Sequence, residues 1–68
     1  ELESEKLAKD KSIAREIVKE ISNFGISDRQ RWLIIYFLSL ELENHLEMQE
    51  LVDVIKDLKS DIFLAKES

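Results

Sequence analysis

The sequence predicts an all-α protein, a two- or three-helix bundle or helical hairpin completed by dimerisation. Three observations carry that expectation. The 68-residue chain contains no Pro and a single Gly, so almost nothing interrupts helix. Apolar residues recur at three- and four-residue spacing through most of its length, the signature of amphipathic helices. Trp32-Leu33-Ile34-Ile35-Tyr36-Phe37-Leu38 is an unbroken apolar run, which puts apolar side chains all round a helix where a surface helix needs one stripe. A chain of this size has little protein with which to cover every face, so part of that surface is expected to meet another chain.

The first helix is expected over residues 5–23. Leu7, Ala14, Ile17, Val18 and Ile21 recur at helical spacing with Ile13 beside them, and Lys9, Lys11, Arg15, Glu16, Lys19 and Glu20 fill the remainder. Acidic residues at 1, 3 and 5 suit the positive end of a helix dipole. Leu7, Ala14, Ile17 and Ile21 are expected to pack on the second helix.

Asn23-Phe24-Gly25-Ile26-Ser27 is the clearest punctuation in the chain. Gly25 can adopt the left-handed conformation that closes a helix, and Ile26 can fold back on the last turn. Ser27, with Gln30 three residues on, forms a capping box, and Asp28 sits favourably in the first turn of the next helix.

The second helix is expected over 28–43 and a third over 45–64. The downstream stripe Met48, Leu51, Ile55, Leu58, Ile62 extrapolates back onto the polar Asn44 and Glu41. The upstream stripe Leu33, Phe37, Leu40 extrapolates forward onto Asn44 and Glu47. The two seams do not join, and Asn44-His45-Leu46-Glu47 fits a cap for a new helix. The rival is one helix across 28–64, about 55 Å long, which would need another chain to lie against. The whole is read as one small domain excerpted from a larger protein, with a mobile tail at 66–68.

Size points toward partnership. A domain this short buries only about 60% of its unfolded surface and usually relies on disulfides, a metal or oligomerisation. There is no Cys, and the single His45 argues against a structural zinc. Association with another chain is the support that remains, with exceptionally tight helix packing in a monomer as the alternative. The missing cysteines also suit an intracellular setting.

Composition also narrows function. A net charge of −5 and a sequence pI near 4.8 oppose general nucleic-acid or anionic-membrane binding, which needs a basic face. The apolar stretch 32–42 is broken by Ser39 and Glu41 and falls short of the roughly 20 residues of a membrane helix. The two helices across Gly25 have the outline of a helix–turn–helix. Asp28-Arg29-Gln30-Arg31 leads straight into apolar residues, however, where a recognition helix presents polar ones. DNA binding is therefore a remote alternative.

No enzyme chemistry is legible. One isolated histidine, no cysteine and no Gly-rich loop leave no nucleophile–base pair. Glu41 precedes His45 by four residues, whereas di-iron helices space Glu and His by three. Glu41, Glu43, Glu47, Glu50 and Asp53 lack the glycine-turned loop of a calcium site and read as a solvated face or a docking face for a basic partner. No cofactor and no metal are expected.

The function expected is protein–protein interaction, as a homodimerisation module. The alternative is a monomeric adaptor whose apolar groove takes an amphipathic helix of another protein. Candidate interface residues are Trp32, Ile35, Tyr36 and Leu42, with Leu51, Ile55, Leu58 and Ile62 from the third segment. Trp32, just after Arg29 and Arg31, has the composition of a binding hot spot.

Overall fold

The computed structural model describes residues 2–64, and the 66–68 tail lies outside them. Four helices follow one another: α1 (Glu3–Ser22), α2 (Asp28–Ser39), α3 (His45–Leu58) and α4 (Ser60–Phe63). No strand occurs among the described residues.

The first turn forms as its residues dictate. The amides of Asn23, Phe24 and Gly25 donate to the carbonyls of Lys19, Ile21 and Ser22 at 3.0–3.1 Å. Gly25 takes φ +69°, the left-handed conformation that costs glycine nothing. Ser27 and Gln30 then close the expected capping box. The Gln30 amide donates to Ser27 Oγ at 3.1 Å, and the Ser27 amide donates to Gln30 Oε1 at 2.8 Å.

The second break is also real, with shifted borders. α2 ends at Ser39, ahead of the expected 43, because Leu40–Leu42 tighten into turns: Glu41 N–H donates to the Leu38 carbonyl and Leu42 N–H to that of Ser39. Glu41 and Glu43 fall at the negative end of the helix dipole, where acidic residues are unfavourable. Asn44 starts α3, its Oδ1 accepting from the Glu47 amide at 3.0 Å. A single helix across 28–64 is thereby ruled out. The third helix is itself divided: Lys59, at φ −122° and ψ 49°, leaves the helical region. Its carbonyl accepts from Ile62 and Phe63 to start the single turn of α4.

The core lies between α2 and α3. Ser39, Val52 and Ile55 are only 2–4% exposed. Around them Trp32, Leu33, Tyr36, Met48, Ile62 and Phe63 are half-buried. On α3 the inward row runs Met48, Val52 and Ile55 and continues to the half-buried Lys59 just beyond the helix, rotated from the expected Met48, Leu51, Ile55, Leu58. Leu51 and Leu58 stand on its exposed flank.

The main correction concerns α1. Its stripe was expected to pack on α2, yet this 20-residue helix has no buried residue, and Ile21 alone is half-buried. The sharp turn sends α1 away from the other helices instead of back along them. The molecule therefore measures 54 × 32 × 16 Å with a radius of gyration of 15.0 Å, against about 11 Å for a compact domain of this length.

Candidate protein-interaction surface

An apolar cleft opens where the end of α1 meets α2. Val18, Ile21 and Ser22 form one wall and Ile34, Ile35 and Leu38 the other, with Ile26 at the base and Arg31 at the rim. The cleft measures about 230 Å³. Its origin is local. α2 turns Trp32, Tyr36 and Ser39 toward α3 and α4, so helical spacing leaves Ile34, Ile35 and Leu38 on the opposite face. Gly25 and the capping box then set Val18 and Ile21 beside that face. The Arg31 guanidinium reaches back to Asp28 at 3.9 Å, a pair on the exposed rim.

The cleft continues into the stripe on α1. Leu7, Ala14, Ile17, Val18 and Ile21 share one side of that helix by their spacing, and Leu7, Ile17 and Val18 are more than half exposed. Together the stripe and the cleft wall form one unpartnered apolar surface spanning both helices.

The eight interface candidates fall into three groups. Ile35, Leu42, Leu51 and Leu58 are exposed, Trp32, Tyr36 and Ile62 are half-buried, and Ile55 is buried in the chain's own core. Of the eight, only Ile35 lines the cleft. Tyr36 and Phe63 meet in a tilted ring contact, centroids 4.8 Å apart. Lys56 Nζ lies 5.9 Å from the Tyr36 ring centroid and Lys59 Nζ 5.6 Å from that of Trp32. These aromatics, which read as anchors for a partner, thus also meet Lys56, Lys59 and Phe63 of their own chain while remaining part-exposed.

Sequence reasoning missed Leu38 and Ile34 as cleft residues, and it placed α1's stripe inside. The apolar run made every face of α2 look alike. The distinguishing signal was Ser39, whose small side chain marks the face that approaches α3. Its hydroxyl is satisfied locally, donating to the Tyr36 carbonyl at 2.6 Å.

A second exposed apolar edge runs along α3 as Leu51, Val54 and Leu58. By helical spacing Glu47, Glu50 and Asp57 border it, and Gln49 Nε2 donates to Asp53 Oδ1 at 3.0 Å on the same helix. Among the described residues no group of three metal-ligating side chains is placed to hold an ion, and no helix is long and apolar enough to cross a membrane. Comparison with protein-family models, curated proteins and solved structures finds no match to this chain.

Proposed function

We propose that this chain is a helical protein–protein interaction module that works as a homodimer. The observation that carries the reading is α1: twenty residues of helix without one buried side chain. A helix of this length draws most of its stability from packing an apolar face. The acidic first turn and the Gly25 close support α1 only at its ends. Leu2, at its N-cap, makes no side-chain cap bond, and β-branched Ile13, Ile17, Val18 and Ile21 lower its intrinsic propensity. A partner that covers the stripe supplies what the single chain lacks.

The total surface supports the same reading. The chain exposes 6096 Å², whereas a compact 8.0 kDa monomer exposes about 4,500 Å². Leu7, Ile13, Ile17 and Val18 on α1 and Ile35, Phe37 and Leu38 on α2 are among the exposed large apolar residues.

The open cleft favours a second reading, a monomeric adaptor that receives an amphipathic helix from a different protein. Sedimentation equilibrium over a wide concentration range, with circular dichroism on the same samples, separates the two. A species of twice the chain mass that loses helix as it dissociates supports the homodimer. A folded 8.0 kDa monomer at every concentration overturns it in favour of the adaptor.

A further inference from the structure

We infer that the cleft between α1 and α2 is the seat for α1 of a second copy, so that two chains interlock through α1 and α2 and leave α3 on the outside. This rests on the homodimer reading and specifies which surface makes it.

Area is the first support. The exposure beyond that of a compact monomer is about 1,600 Å² per chain, and a stable interface takes roughly 800 Å² from each partner. The surplus, counted over the whole chain, exceeds what one such interface takes. Continuity is the second. The stripe of Leu7, Ala14 and Ile17 runs directly into the cleft wall of Ile34, Ile35 and Leu38, so each chain carries both a ridge and a place to receive one. A two-fold pairing, in which each copy gives α1 and accepts α1, satisfies both at once.

Charge separates this surface from the other exposed apolar edge. α1 carries acidic Glu3, Glu5, Asp10, Glu16 and Glu20 against basic Lys6, Lys9, Lys11, Arg15 and Lys19, which sum to zero. Its first turn carries Glu3 and Glu5, and its last turn Lys19 beside Glu20. Two α1 helices laid antiparallel therefore meet with no net charge between them, and their oppositely directed dipoles pair favourably. The edge formed by Leu51, Val54 and Leu58 is bordered by Glu47, Glu50 and Asp57. Pairing that edge with its own copy would press carboxylates together, a like-charge arrangement that opposes association.

The test uses three matched positions: Ile17 is 52% exposed, Leu38 59% and Val54 53%. Lysine has a higher helix propensity than the β-branched residues it replaces at 17 and 54 and about that of the leucine at 38, so none of the three substitutions melts its helix through propensity alone. Sedimentation equilibrium is run on the wild type, Ile17→Lys, Leu38→Lys and Val54→Lys. The expected result is a wild-type dimer weakened about 100-fold or more by each of the first two, because both bury a charge at the seat. Val54→Lys should leave it unchanged. A dimer that survives Ile17→Lys and Leu38→Lys, or one that only Val54→Lys dissociates, overturns the seat while leaving homodimerisation standing. A wild-type chain that is monomeric throughout overturns both.

Discussion

The rings of Tyr36 and Phe63 lie 4.8 Å apart at an interplanar angle of 42° and fasten α4 to α2. α4 is a single turn with no side-chain cap bond, so this aromatic contact does much to keep it folded onto the core. Removing the ring in Phe63→Ala should cost about 2 kcal/mol, roughly half the loss for a fully buried phenylalanine, because the residue is half-buried. Urea unfolding at one fixed protein concentration checks it. Combining Phe63→Ala with Tyr36→Ala should reveal a coupling of about 0.5–1.5 kcal/mol. Strict additivity would mean that the rings do not support one another.

Asn44 decides where the chain restarts as helix. Its Oδ1 accepts from the Glu47 amide at 3.0 Å and its carbonyl from the Met48 amide at 2.9 Å. Asn44→Ala removes the first bond and should lower stability by about 1 kcal/mol. Asn44→Asp keeps an acceptor and adds a charge favourable to the dipole, so it should match or exceed the wild type. If alanine proves as stable as asparagine in urea unfolding, the border between α2 and α3 is set by packing instead of by this cap.

At Gly25, space and conformation can be told apart. Nothing lies within 4 Å of the position a Cβ would take, while φ is +69°. Any cost of Gly25→Ala is therefore conformational, about 1–2 kcal/mol. Asparagine tolerates this region better, so Gly25→Asn should lose less than alanine. Equal losses for the two would indicate that the α1–α2 turn relaxes on substitution and that the direction of α1 is not held by Gly25.

Local chemistry was legible in this sequence and long-range direction was not. Gly25, the Ser27–Gln30 box and the Asn44 cap each act over three or four residues, and all three form where the residues imply. The mismatch of apolar seams at Asn44 correctly separated α2 from α3. The break at Lys59 left no comparable trace, since a lysine in ordinary helical surroundings gives no breaker signal. The core face of α2 was hidden by the run Trp32–Leu38, in which apolar residues occur on every side and periodicity carries no direction. Val52 was overlooked for a related reason: Leu51 and Val52 are adjacent, and only the position of α2 decides which one is covered. The stripe on α1 was recognised, but an apolar stripe says that a helix must be covered and not by which chain.

Asp10 interrupts that stripe. With Leu7, Ala14, Ile17 and Ile21 it completes a three-and-four spacing down one side of α1, and it is the one charged residue in the series. If α1 lies against a second copy, each Asp10 carboxylate comes near the seam and opposes burial there. Asp10→Leu should then tighten the dimer, by about tenfold or more, since each copy would bury an added leucine side chain. Asp10→Asn should have a smaller effect, because an amide still needs hydrogen-bond partners. Sedimentation equilibrium reads both. A dissociation constant unmoved by Asp10→Leu would mean that this face of α1 stays in water in the dimer. Polar residues at such seam positions restrict register, so the leucine variant should also show a wider range of assembly states, visible as mass beyond the dimer. Tight binding with a single dimeric mass would show that Asp10 weakens the pairing without specifying it.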